Sequence, residues 1–201
     1  MIATGTITTG VTGGRWRASV TPWGAIVPFD GTPALDWHVA ADDRWHTPAD
    51  EPAVRQKRLG GTAVVETRLR IPEGDAVHRV YSVADHGGLT VVEVENASSL
   101  PIAVAFTRGD LLTMLPPTAP IDGITLPAGS IAVPVGHKAT VTVALPHVGR
   151  GAGTLPPGLP TCTAVVRGWT AATERASRLL LPDAHVGSQV MSIRCELSLC
   201  G

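Results

Sequence analysis

The sequence predicts a mainly β protein: an antiparallel β-sandwich followed by one or two C-terminal α-helices. Three observations carry this. Apolar and polar residues alternate with a period of two over three consecutive runs between Val77 and Thr107. Charged residues make up only 16% of the chain, while 22 Gly and 17 Pro supply the frequent turns that many short strands need. Beyond Gly168 the period changes from two to 3.6, the spacing of an amphipathic helix.

Taken in order, Thr6 to Val11 and Trp16 to Val20 flank Gly13-Gly14 and read as an opening hairpin. Between residues 32 and 60 the alternation fails. This segment reads as a long decorated connection carrying Trp37, Trp45, His38, His46 and five acids from Asp36 to Glu51, with a short strand around Leu35 to Val39. Alternation returns over Thr62 to Ile71, with Val65, Thr67, Leu69 and Ile71 on one side and Glu66, Arg68 and Arg70 on the other. Pro72 to Asp75 then turns the chain.

The run Val77 to Thr107 reads as a three-stranded meander. Asp85-His86-Gly87-Gly88 forms its first turn and Asn96-Ala97-Ser98-Ser99 its second. After Arg108-Gly109-Asp110, Pro116, Pro117, Pro120 and Pro127 mark irregular chain. Ser130 to Val135 and Ala139 to Leu145 read as a further hairpin through Gly136-His137-Lys138. Pro146 to Pro160 is a Gly/Pro linker, and Thr163 to Arg167 a last strand. A helix follows, with Trp169, Ala172, Thr173, Ala176, Leu179 and Leu180 on one stripe and Leu181-Pro182-Asp183 stopping it. A second helix starts with Ser188 as N-cap and places Val190, Ile193 and Leu197 on its apolar face. The sandwich domain therefore covers 1–167 and the helical segment 168–201. The expected core is Val65, Leu69, Val92, Val94, Ile102, Val104, Phe106, Val141 and Val143.

Composition removes several function classes. A formal charge of −1 with no basic cluster gives no basis for nucleic-acid binding. No apolar run reaches the roughly 18 residues of a membrane helix, and the first ten residues lack the basic and apolar regions of a secretory signal. Cys162, Cys195 and Cys200 form no CxxC motif, which suits a reducing compartment and makes the cytoplasm the expected location. Cys162 reads as a core residue. His38 and His46 have no third ligand at a recognisable spacing, so no metal is expected. Gly149 to Gly153 lacks the spacing of a phosphate cradle, so no cofactor is expected, and no G-x-S-x-G occurs. Asn96-Ala97-Ser98 matches a glycosylation sequon but reads as a turn.

Two features bear on ligands. Glu93 and Glu95 share a strand face about 7 Å apart, within the span that glycoside hydrolysis requires, though the solvated face of a strand produces the same pattern. Trp37 and Trp45, beside Asp36 and His38, form the candidate carbohydrate-binding set: a sugar ring is held by an aromatic face and by acids that accept from its hydroxyls. The alternative role for these Trp residues is to anchor the long connection to the sandwich.

The stretches VEVENASSLP (Val92 to Pro101), VGHKATVTVALP (Val135 to Pro146), Gly168-Trp169 and Leu181-Pro182-Asp183 together resemble the N-terminal region of bacterial six-hairpin glycosidases, the glucoamylase-like and glycogen-debranching-like proteins. In that family the sandwich precedes an (α/α)6 toroid holding two catalytic carboxylates, and residues 188–200 look like the toroid's opening helix. The resemblance implies a non-catalytic β-sandwich module supporting a helical catalytic domain outside this sequence. No catalytic residue carries over. The alternative is a free-standing sandwich that binds a glycan or a protein, and a third reading is a small enzyme. The expected partners are a glycan or oligosaccharide, and either a helical domain or a second copy meeting Val190, Ile193 and Leu197.

Overall fold

The computed structural model describes residues 5–114, 121–149, 152–175 and 177–200. Fourteen strands form three sheets among these residues, and two helices follow. The first sheet is β1 (Ile7–Gly10), β2 (Arg17–Val20) and β3 (Ile26–Pro28), in that order, and begins with the expected hairpin. The second comprises β4 (Trp37–Ala40), β5 (Trp45–His46), β10 (Ile102–Phe106) and β12 (Ile131–Val135), in the order β12-β10-β4-β5.

The third sheet has seven strands. It is built from β6 (Val54–Arg58), β7 (Val65–Ile71), β8 (Gly74–Val83), β9 (Leu89–Asn96), β11 (Leu112–Thr113), β13 (Thr140–Pro146) and β14 (Gly153–Thr154). Its order is β14-β11-β13-β9-β8-β7-β6, antiparallel throughout except for the short β11–β14 pair. One face of this sheet packs on the other two sheets, giving the sandwich. All nine expected core residues lie in that interface, none more than 5% exposed.

The strands are where alternation places them, but the pairing differs. Ile102 to Phe106 does not continue a meander. β10 leaves β9 and pairs with β4 and β12 in the opposite sheet. The expected hairpin of 130–135 with 139–145 also splits, β12 joining β10 and β13 joining β9. Both links cross the sandwich at the same end, and Asn96 clamps them. Its side-chain amide donates to the carbonyls of Leu100, Val135 and Gly136 at 2.8, 3.1 and 3.2 Å, and its Oδ1 accepts from Ser98 N and Oγ. Asn96 is fully buried, so the sequon serves as structure.

The connection 32–60 is less irregular than expected. It contributes β4, β5 and β6, because a short or edge strand can be polar on both faces and still take part in a ladder. The linker 146–160 is likewise partly structured: β14 lies within it and Leu155 is buried. Pro116, Pro117, Pro120, Arg150, Gly151 and Ala176 lie outside the described residues.

The helices pack on the outer face of the seven-stranded sheet against Tyr81, Val83, Leu89, Val91 and Ala144. α1 (Cys162–Glu174) replaces the strand expected at 163–167. Thr161 Oγ1 caps it by accepting from Ala164 N at 3.3 Å, and the helix ends before Leu179 and Leu180, which are exposed. α2 (Ala184–Cys200) starts four residues before Ser188, with Asp183 Oδ1 as cap, accepting from His185 N at 2.7 Å and Val186 N at 3.3 Å. Trp169, Cys162, Cys195 and Leu199 meet Val64, Tyr81, Val83, Leu89, Val91 and Ala144 of the sheet region in a second core.

The buried face of α2 is therefore the one holding Cys195 and Leu199. Ile193 and Leu197 stand 60% and 67% exposed on the opposite side, with Val190 half-buried. The helix is apolar on two sides, and on its packed side Ser188 and Met191 lie against Gly61.

Candidate binding cleft

The expected Trp37–Trp45 set is not assembled into one site. On β4, Trp37 and Val39 point into the sandwich while His38 and Ala40 point out. Trp37 is 2% exposed, donates from Nε1 to the Trp23 carbonyl at 2.9 Å, and presents no ring to a ligand. Trp45 lies half-buried on the outer side, across from Ala40, and donates to the Asp122 carbonyl at 2.8 Å. His38 shares a hydrogen bond with Thr47 Oγ1 at 3.2 Å, and burial lowers its pKa against the pull of Asp36 and Asp50. The backbone of Asp36 is tied to Thr107. These contacts are those of anchors.

The other acids also have partners. Glu93 Oε1 accepts from Tyr81 Oη at 2.6 Å, and Glu95 pairs with Arg79 at 2.8 Å, so neither belongs to a bare solvated face. His46 is buried between Asp43 and Glu51, at 2.9 and 3.0 Å, and the Arg44 hydrogen bond holds Glu51 below the usual carboxylate range. No group of three or more potential metal ligands occurs among the described residues. Burial pushes the Cys162 and Cys195 thiols up to about 11, so neither is a reactive thiolate at neutral pH.

A different cleft lies where the residue before β2 meets the residue after β13. Trp16 and His147 stack there with ring centroids 4.0 Å apart and planes 9° apart. His147 is fixed from two sides: its N donates to Gly88 O at 2.9 Å, and its Nε2 shares a hydrogen bond with Thr90 Oγ1 at 2.9 Å. Behind Thr90 runs a buried hydroxyl chain, Thr90 to Ser82 at 2.9 Å and Ser82 to Thr9 at 3.3 Å. Strand alternation brings Thr9, Ser82 and Thr90 to the same inner layer. Gly88 is required beside the ring, since a Cβ there would sit 2.4 Å from His147 Nδ1 and its φ is +95°. Burial lowers the His147 pKa to about 4, leaving a neutral imidazole at physiological pH.

The stack separates two recesses of about 420 and 400 Å³. Trp16, Asp30, His147 and Val148 line both. Arg15 and Gly88 also line the first, and Thr32 and Arg108 the second. Asp30 Oδ1 accepts from Thr32 N and Oγ1 at 2.9 and 2.7 Å, while Arg108 grips Asp110 through two hydrogen bonds of 2.8 and 2.6 Å. Asp30 is the one carboxylate in either lining. An aromatic partition with a carboxylate and a neutral imidazole suits a polyhydroxylated ring: flat faces pack on its C–H surfaces and polar edges meet its hydroxyls. Sequence reasoning missed this cleft because Trp16 and His147 lie at opposite ends of the sandwich sequence, and neither belongs to a local motif.

No protein-family model matches the chain, and neither a curated protein nor a solved structure does. The likeness to six-hairpin glycosidases thus rests on the short sequence stretches that carry it.

Proposed function

We propose that this chain is a non-catalytic β-sandwich module of a carbohydrate-active, glycosidase-like protein, and that its ligand contact lies at the Trp16–His147 cleft. The observation that carries the reading is the make-up of the two recesses, a stacked aromatic partition with a single carboxylate. Glycoside hydrolysis uses a pair of carboxylates across the scissile bond, and a lone Asp30 supports binding without cleavage. The apolar residues exposed on α2, Ile193 and Leu197, support contact with a helical domain or a second copy of the chain. Three free cysteines suit a cytoplasmic setting, and no helix of the described residues is long and apolar enough to cross a membrane.

The test is tryptophan fluorescence titration of 1–201 with maltose, a malto-oligosaccharide and trehalose, alongside a release assay on starch. Binding without turnover, lost in Trp16→Ala and kept in Trp45→Ala, is the expected outcome. Turnover abolished by Asp30→Asn overturns the non-catalytic assignment. The second reading, a free-standing protein-binding module, is favoured by the same exposed residues on α2 and is selected if no sugar binds.

A further inference from the structure

The seven-stranded sheet ends in β6, an edge strand whose last residue, Arg58, is held by Glu196 of α2. β6 pairs with β7 in antiparallel register, and Arg70 N donates to Ala53 O while Leu59 N donates to Val64 O at its two ends. Hydrogen-bonded pairs recur at every second residue of an antiparallel ladder. The backbone groups of Arg55 and Lys57 therefore face β7, and those of Val54, Gln56 and Arg58 face away from it. Among the described residues these outward groups have no backbone partner.

The side chains beside this edge carry a layered charge. Arg55 and Lys57 occupy alternate positions on the outer face and are 66% and 61% exposed. Their acidic partners lie beneath them, Asp75 at 14% and Glu66 at 4% exposure. Each acid has further cations: Arg68 and Arg70 reach Asp75, and Arg68 and Arg79 reach Glu66. Arg55 and Lys57 can turn outward without leaving either carboxylate unpaired. Together with Gln56 and Arg68 they border a recess of about 330 Å³.

We propose that β6 is a docking edge for an extended acidic segment of a partner protein, which adds to the sheet as its next strand. Strand addition needs free backbone donors and acceptors and side-chain contacts at every second residue. The outward groups of Val54, Gln56 and Arg58 meet the first need. Arg55 and Lys57, about 7 Å apart along the strand, meet the second for acids spaced i and i+2. The same positive charges oppose pairing of β6 with a second copy of itself, which selects a partner of opposite sign.

The test uses the whole 1–201 chain and a fluorescently labelled short peptide of alternating valine and glutamate, read by anisotropy. The peptide is expected to bind, and more weakly as salt rises. Three changes should each weaken it roughly tenfold or more: lysine in place of glutamate, N-methylation of the amides facing β6, and the double substitution Arg55→Glu with Lys57→Glu in the protein. The N-methylated peptide leaves the protein untouched, so its result stands even if the double variant folds poorly. Undetectable binding of the glutamate peptide overturns the proposal. So does equal binding of the N-methylated form. Binding of polygalacturonate without binding of the peptide overturns it too, and makes the surface a site for acidic polysaccharide.

Discussion

Trp37 and His78 stack inside the sandwich with ring centroids 4.4 Å apart and planes 17° apart. One comes from β4 and the other from β8, so the contact joins the two main sheets. It also buries an imidazole whose Nδ1 has no hydrogen-bond partner. Burial lowers the His78 pKa from 6.5 to about 3. The folded chain thus refuses a proton that the unfolded chain accepts below about pH 6.5. Stability is complete above that pH and falls on acidification towards pH 3, by up to about 1.4 kcal/mol per unit. His78→Phe, which keeps a ring and removes the unpaired nitrogen, should flatten this slope and leave neutral-pH stability equal or higher. Urea denaturation at several pH values between 7 and 4 measures it, and parallel curves for the two proteins would contradict the assignment.

Trp37 and Trp45 should separate cleanly. Trp37→Ala empties a core site and should cost about 3–5 kcal/mol. Trp45, half-buried on the outer side, should cost far less. Neither substitution should change glycan affinity in protein that remains folded. Thermal melts paired with the fluorescence titration check both parts, and an affinity loss confined to Trp45→Ala would return the site to the 32–60 segment.

Asn96→Ala removes two N–H donors shared among three carbonyls, and two accepted hydrogen bonds, at once. The buried carbonyl of Val135 loses its donor, and the expected cost is on the order of 3 kcal/mol or more. Asn96→Asp should be no better, since a carboxylate cannot donate to those carbonyls. Denaturation midpoints of both variants against wild type supply the measurement. A change below about 1 kcal/mol would show that the clamp is replaceable by solvent.

Leu197 and Leu199 sit two positions apart on α2 but are 67% and 2% exposed. Leu199→Ala should cost about 2–5 kcal/mol, and Leu197→Ala within about 0.5 kcal/mol. Light scattering is expected to show self-association of 1–201 that Ile193→Glu with Leu197→Glu abolishes. A wild-type monomer at all concentrations would assign the exposed face to another partner or to none.

Gly88→Ala should damage the cleft while leaving the identity of its polar side chains unchanged. The added methyl meets His147 in a backbone conformation that disfavours any Cβ, so the ring must move off Trp16. Loss of ligand binding with an altered Trp16 emission spectrum is the expected result, and an unchanged titration would remove His147 from the site.

Much of the fold was legible because burial imposes a period of two on every strand with one wet face. Val65, Leu69, Val92 and Phe106 could be placed in the core on that ground alone. What alternation cannot say is which sheet a strand joins. The turn residues after Glu95 and Val135 show that the chain changes direction, and a crossing between sheets needs the same residues as a hairpin. β6 escaped notice because Val54, Gln56 and Arg58 are mixed in polarity, as an edge allows. The β-branched run around Val165-Val166 reads as a strand, but Thr161 caps it into α1. The cleft was illegible for a simpler reason: Trp16 and His147 become neighbours only through the long-range pairing of β13 with β9 and the docking of the first sheet.

The paired crossings at Asn96 also bear on how the chain reaches this structure. β4 pairs with β10, whose sequence neighbour β9 belongs to the other sheet. Neither sheet can complete its ladder by zipping up successive hairpins alone. Both must close over distant segments within one cooperative step, which places the chain among slow β topologies folding in about milliseconds to seconds. Amide protons of β9, β10, β12 and β13 should then exchange through a common global opening, the last region to be released on unfolding.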